Sequence, residues 1–332
     1  MNSKNILASK IAMPFIALFC CLLWSSAFPS LKVLYSLVNP TSSLDLILQA
    51  GIRFTLAGLI LLTYSFFSKR KRTPHETLSE EFKAILIKKD NLSVILILSA
   101  VMTFVPYACY YIGLSNTTAV KSAILVSSEI FFLAILSHYF IKGDKITAKK
   151  MMGLVFGFIG LIFANFQTVG AIDFSFKLNG EGLLLLCFLL FSIGNTIIKR
   201  KSGKIDIMVT IGWEMLIGGA LLFIVGITSG AKIPPFSPSI MMLTIYLALM
   251  SSVVFTIWSL MLQYHKPSSM TIFKFSIPIF GSILSILFLS EEVFTLELLI
   301  ALALVSVGII AVNLKPKKNR SQSDDSKTVI EN

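Results

Sequence analysis

The stretch Ile124-Leu125-Val126-Ser127-Ser128-Glu129-Ile130-Phe131-Phe132-Leu133-Ala134-Ile135-Leu136-Ser137-His138-Tyr139-Phe140 occurs twice, in altered form. After a shift of 148 residues, Ile124 falls on Ile272, Ser128 on Ser276 and Phe132 on Phe280. Ile135, Leu136 and Ser137 fall on Ile283, Leu284 and Ser285, and Phe140 falls on Phe288. The match runs on without a gap through Thr147 and Thr295, Gly160 and Gly308, and Asn165 and Asn313. A weaker match at a different offset places Cys20, Leu22, Leu23, Ser25 and Lys32 on Cys187, Leu189, Leu190, Ser192 and Lys199. Apolar sequences coincide by chance, but Thr147, Gly160 and Asn165 in the same order do not. The chain reads as a duplication.

Each copy holds five apolar runs of roughly 20 residues, the length that crosses about 30 Å of hydrocarbon as a helix. Inside lipid each backbone N–H must find its acceptor within the segment, so the runs are read as helices. The spans are expected at 11–31, 45–67, 93–113, 118–141, 151–168, 180–198, 208–229, 239–262, 268–290 and 296–314. Five is odd, so the second copy enters the membrane upside down. The fold class is therefore an all-α integral membrane protein of about ten transmembrane helices in two inverted five-helix repeats, 11–168 and 180–314. Inverted repeats of this kind are a transporter signature, with the solute site near the midplane between the halves.

Composition agrees. Of 332 residues, 55% are hydrophobic and 14% charged, with mean hydropathy +0.83. A soluble domain carries roughly 25% charged residues. The net charge of +12 does not imply nucleic acid, because the basic residues sit in alternate connections. Lys4 and Lys10 precede the first run. Lys69, Arg70, Lys71, Arg72, Lys83, Lys88 and Lys89 follow the second. Lys142, Lys145, Lys149 and Lys150 follow the fourth, and Lys199, Arg200, Lys201 and Lys204 the sixth. Lys266 and the tail lysines continue the pattern, against Lys32, Lys177 and Lys232 on the opposite side. This asymmetry puts both termini in the cytoplasm and requires an even number of spans. The first run has the outline of a signal peptide, but its partner in the second half argues for a retained helix. Residues 77–88 read as a short amphipathic helix lying on the inner leaflet, and 315–332 as a disordered cytoplasmic tail.

At this point the sequence resembles the EamA-type branch of the drug/metabolite transporter superfamily, over residues 11–314. The resemblance rests on Leu23-Trp24-Ser25-Ser26-Ala27-Phe28-Pro29, Gly51-Ile52-Arg53-Phe54, and Tyr111-Ile112-Gly113-Leu114-Ser115-Asn116-Thr117-Thr118-Ala119-Val120-Lys121. Pro278 followed by Phe288-Leu289-Ser290-Glu291-Glu292 completes it. The sequence departs from the pattern at Glu129-Ile130, where many members carry Glu-Pro, and at Asp144, where Glu is usual. The resemblance implies ten helices, alternating access to a central cavity, and export or exchange of amino acids, related metabolites or drug-like solutes. It places the chain in a bacterial-type inner membrane.

An ionisable residue deep in a span costs a few kcal/mol, so it faces a cavity or a partner. The candidates are Arg53, Lys121, Glu129, Glu214 and Lys274. Arg53 reads as an anion or carboxylate anchor, or as a salt bridge or snorkel. Lys121 lies near the outer end of its span, where snorkelling competes. Glu129, near mid-span, is the candidate for proton coupling or for a substrate ammonium, against a buried pair with a lysine or bonds to serines. Glu214 and Lys274 lie in the first thirds of the seventh and ninth spans. Trp24, Tyr107 and Trp258 are aromatic wall candidates, and packing or interface anchoring is the alternative.

Cys20, Cys21, Cys109 and Cys187 all fall in apolar runs and read as small buried hydrophobes. His75, His138 and His265 lack metal-ligand spacing, so no metal is expected. No Gly-x-x-x-x-Gly-Lys-Ser/Thr loop is present, so no built-in ATPase, and no cofactor is expected. The partners expected are a small-molecule solute, the lipid bilayer and a proton as candidate coupling ion, with a homo-oligomer left open. A membrane-embedded enzyme acting on a lipid-linked substrate is the alternative; its catalytic residues would cluster at one membrane face, whereas single charges are scattered here.

Overall fold

The computed structural model describes residues 3–70, 89–117, 119–164, 176–289 and 296–313. The segment 77–88 and the tail after Lys315 lie outside these residues. Every described element is helical. After a short N-terminal turn of helix, Ser3–Ala8, come α1 (Ala12–Val38), α2 (Ser43–Arg70) and α3 (Asn91–Ser115). Then follow α4, in two pieces (Ala119–Val126 and Ser128–Phe140), and α5 (Ala148–Ala164). The second half contains α6 (Leu178–Arg200), α7 (Ile207–Thr228), α8 (Pro238–Tyr264), α9 (Pro267–Phe288) and α10 (Leu296–Asn313). Among the described residues α1, α2, α3, α6, α7, α8 and α9 are long and apolar enough to cross a membrane, and α4 supplies a shorter apolar helix, Ile124–Phe140.

Local chemistry sets the helix ends. Asn39 takes the left-handed conformation, φ 50°, and ends α1 just before Pro40, which cannot continue it. Asp206 caps α7 by accepting from Val209 N at 3.2 Å. Gly230, at φ +84°, closes the same helix, and Ala231 N then reaches Gly226 O at 3.0 Å. Pro238 and Pro267 open α8 and α9, where a missing N–H costs nothing. Side chains such as Phe15, Ile97, Ile224 and Met242 are exposed, an apolar exterior of the kind that lipid covers.

α2 and α7 pack most closely. A Cβ on Gly51 would lie 2.4 Å from Phe223 N, and one on Gly58 2.5 Å from Leu216 N. From the other side, Gly219 meets Thr55 N at 2.4 Å and Gly212 meets Leu62 side-chain carbons at 2.9 Å. The numbers fall on one helix as they rise on the other, so the pair is antiparallel. Without a hydrophobic force between helices in lipid, such close approach is what holds them. α5 lies along α10, where a Cβ on Gly308 would sit 2.9 Å from Gly153 O.

Several of the remaining contacts come in exchanged pairs. α4 packs on α6 as α9 packs on α1; α3 packs on α6 as α8 packs on α1; α8 packs on α2 as α3 packs on α7. α4 and α9 are also interrupted at matching places, at Ser127 and at the Phe275–Ser276 junction. In α9 the cause is Pro278, which removes the N–H that Lys274 O would accept from. In α4 no proline is present. There the chain tightens instead, with Ser127 N to Ile124 O at 3.1 Å and Ile130 N to Ser127 O at 3.0 Å.

Candidate functional site

A cavity of about 200 Å³ lies at the centre of the bundle, between both halves. Helical spacing explains its walls. α1 presents Trp24, Ala27, Phe28 and Leu31; α3 presents Tyr107, Tyr110 and Tyr111; α6 presents Phe188, Phe191 and Asn195; α8 presents Phe255, Trp258 and Ser259. α2 adds Arg53, α4 adds Val126 and Glu129, and α9 adds Lys274 and Ile277. The lining is mostly aromatic with few polar groups, the composition of small-molecule sites.

The aromatic side chains brace one another. Trp24 and Trp258 have ring centroids 5.2 Å apart, and Trp24 meets Phe255 edge-on at 5.6 Å. Tyr107 lies 4.3 Å from Phe54 and 5.6 Å from Phe191. Trp258 Nε1 is buried with no hydrogen-bond partner, which leaves a donor at the wall.

Two cations reach the cavity, and they are held differently. Lys274 Nζ forms an ion pair with Glu129 Oε1. It also lies 5.0 Å from the Trp24 ring centroid and 5.1 Å from that of Trp258, so two indole faces share its charge. Asn195 Nδ2 is 3.4 Å from the same Glu129 oxygen. Arg53 is fixed by Ser251, whose Oγ accepts from its Nε at 2.9 Å and from Nη2 at 2.8 Å. Its guanidinium also lies 5.0 Å from the Phe54 ring centroid. No carboxylate among the described residues lies within ion-pair distance of Arg53. Glu129 thus faces Lys274, and Arg53 is the cation of this lining with no carboxylate partner among the described residues.

Six of the sequence candidates thus meet in one place: Trp24, Arg53, Tyr107, Glu129, Trp258 and Lys274. Two do not. Lys121 pairs with Glu181 Oε1 at 3.2 Å. Glu181 also accepts from Thr117 Oγ1 at 2.7 Å and from Lys177 N at 2.8 Å, so this cluster ties the α3–α4 connection to the start of α6. Glu214 lies between α7 and α3, 1% exposed, with Oε1 hydrogen-bonded to Thr103 Oγ1. Sequence reading passed over Glu181 and Asn195, although both are polar interruptions of an apolar run, and over Ser251, which nothing distinguishes from a packing serine.

At the opposite end of the bundle, connections are stitched together. Asp144 pairs with Lys150 and accepts from Ser268 Oγ and, at 3.1 Å, from Ser268 N. Lys199 Nζ donates to Gln263 O at 3.2 Å, and His265 Nε2 lies 2.7 Å from Leu7 O. The free cysteines are all buried.

Comparison with known proteins bears on the family and the fold. The model of a family described as the EamA-like transporter family matches twice, at residues 12–166 and 178–314. An uncharacterized transporter of Bacillus subtilis (strain 168), YoaV, is 23% identical over 290 residues, covering 87% of this chain and 92% of its own. A WAT1-related protein of Arabidopsis thaliana, At3g02690, chloroplastic, is 22% identical over 302 residues, covering 87% of this chain and 66% of its own. One solved crystal structure superposes with a TM-score of 0.72 at 16% identity, over 91% of this chain and 96% of its own. At that identity the likeness shows the fold alone.

Proposed function

The chain belongs to the EamA-like transporter family, and on that premise we propose that it moves small organic solutes bearing a carboxylate by alternating access around the central cavity. The observation that carries this is Arg53, a cavity-lining guanidinium with no carboxylate within ion-pair distance among the described residues. An unneutralised charge in a low-dielectric wall is costly, and an anionic group on the solute removes that cost while forming charge-assisted hydrogen bonds. The aromatic walls accept the apolar body. Glu129 is the counter-ion that keeps Lys274 from acting as a second open anion site.

In this reading all ten helices cross the membrane, as two inverted halves spanning 11–168 and 180–314. The exchanged contacts and the matched interruptions of α4 and α9 support it. The basic connections Lys142–Lys150, Lys199–Lys204 and Lys266 meet at one end, linked by the Asp144–Ser268 and Lys199–Gln263 bonds. That end is cytoplasmic by the charge rule, together with both termini, in a bacterial-type inner membrane. Transport is export or exchange.

Two measurements test the reading. Metabolite pools inside and outside cells with and without the protein should differ in a few small carboxylates. Those solutes should enter proteoliposomes holding the purified chain saturably and without ATP. Proteoliposomes that move none of them contradict it.

A further inference from the structure

α2 and α7 share a register. It takes Asp45 to Asp206, Gly51 to Gly212 and Gly58 to Gly219. The packing obeys the same register: Gly51 faces Phe223 as Gly212 faces Leu62, and Gly58 faces Leu216 as Gly219 faces Thr55. This register takes Arg53 to Glu214. Their hydrogen-bond partners correspond as well. Arg53 is held by Ser251 on α8. Glu214 is held by Thr103 on α3, the residue that the shift from Ile124 to Ile272 carries onto Ser251. One position in each half therefore carries a base in one copy and an acid in the other.

The two copies differ in surroundings. Arg53 lines the cavity. Glu214 is sealed off at 1% exposure, and its Oε2 has no hydrogen-bond partner. α3 brings Thr103 and, nearby, the phenol of Tyr107. α2 has its mid-span cation, Arg53, committed to Ser251, with its other charged residues, Asp45, Lys69 and Arg70, near its ends, and α8 carries no charged residue. Among the described residues no cation lies within ion-pair distance of Glu214. An isolated carboxylate there is costly to hold, which favours the neutral acid.

We propose that Glu214 is a proton-binding gate: buried with its proton in this conformation, and turned to the cavity, in the place symmetry-related to the one Arg53 holds here, when the bundle opens at the end that the Asp144–Ser268 bonds close. This rests on the two inverted halves exchanging conformations. In that state Arg53, already only 6% exposed here, leaves the cavity, and return of Glu214 to its buried position requires a proton. The proton is taken from water at the end closed here and given back to the same water, so it controls the return step and is not itself carried across.

The test uses the full chain in nanodiscs, with the proton as probe, read by the infrared carbonyl band of a neutral carboxylic acid. The band should be present in the wild type and in Glu129→Gln, and absent in Glu214→Gln. If Glu214→Gln does not accumulate, Thr103→Val serves, since loss of the hydrogen bond should shift the same band. Asp144→Ala unties α9 at the closed end, and spin labels at Lys145 and Lys201 report whether that end opens. With the end open, the band should titrate away as pH rises. A band that survives Glu214→Gln or ignores Thr103→Val overturns the proposal, as does a band that persists at every pH while the labels separate. If the labels never separate under any condition, the exchange of halves itself is contradicted, and the gate with it.

Discussion

Ser25 and Ser192 perform the same task from opposite halves of the chain. Ser25 Oγ on α1 lies 2.9 Å from Ile277 O on α9 and 2.6 Å from Cys21 O one turn back. Ser192 Oγ on α6 lies 3.0 Å from Glu129 O on α4 and 2.9 Å from Phe188 O. Each hydroxyl reaches a carbonyl just past the interruption in its neighbour, where an unmet backbone group is costly. The two carbonyls are related by the same shift that takes Ile124 to Ile272.

Ser25→Ala and Ser192→Ala should therefore be alike. Each removes one buried hydrogen bond, worth about 1 kcal/mol. Thermal unfolding in detergent should show two similar, small losses. A loss at one serine with none at the other would mean that the two interruptions are not equivalent.

The Glu129–Lys274 pair should behave as a unit. Glu129→Gln leaves an ammonium in the cavity wall, and Lys274→Met leaves a carboxylate. Each single change should cost more than the double, because the lone charge is the expensive species. A double-mutant cycle on thermal stability gives a coupling of about 1–3 kcal/mol. Additive losses would show that the two side chains do not depend on each other.

How much of this was legible beforehand follows from what sequence encodes. The spans, the duplication and the ionisable positions are written in composition and spacing, and Arg53, Glu129 and Lys274 could be named because charge inside an apolar run is rare. Which charge meets which is a matter of helix rotation and crossing, and no local pattern carries it. By depth Glu129 reads as a coupling site or as half of a buried pair with a lysine, and the structure shows which lysine stands beside it, Lys274. Lys121 was read as a cavity side chain or a snorkel, and its partner Glu181 lies in another helix. The Arg53–Glu214 correspondence needed the α2–α7 register, which two glycines in each helix mark and apolar identity hides.

Glycines in the helices divide by what surrounds them. Gly51→Ala would place Cβ 2.4 Å from the backbone N of Phe223, and a helix backbone cannot step aside. Folded yield should collapse. Gly182→Ala, at the start of α6, meets nothing nearer than Leu178 Cδ2 at 3.4 Å. It should be neutral or slightly stabilising, since alanine favours helix by about 1 kcal/mol over glycine. Fluorescence size-exclusion profiles of the two variants decide this, and equal yields would contradict the tight α2–α7 seam.

Stability should fall on the acid side of neutrality through His265, in the connection between α8 and α9. Burial lowers its pKa; the bond to Leu7 O opposes this, and Lys199 and Lys10 reinforce it. The unfolded chain then takes up a proton at about pH 6.5 while the folded chain resists. Stability is complete above that pH and is lost as pH falls through it toward the folded value. His265→Gln, which keeps an N–H donor for Leu7 O, should flatten this part of the profile. An unchanged slope in the variant assigns the pH response to another group.

The most direct test of the central claim is counterflow in proteoliposomes, comparing small aromatic or apolar carboxylates with their amides, for the wild type and for Arg53→Gln. The account expects the wild type to move carboxylates in preference to the matched amides. Arg53→Gln should lose at least tenfold of that preference, the equivalent of about 1.4 kcal/mol, while the protein remains folded with its Glu129–Lys274 pair intact. Equal transport of acid and amide by the wild type, or a preference that survives Arg53→Gln, would contradict it.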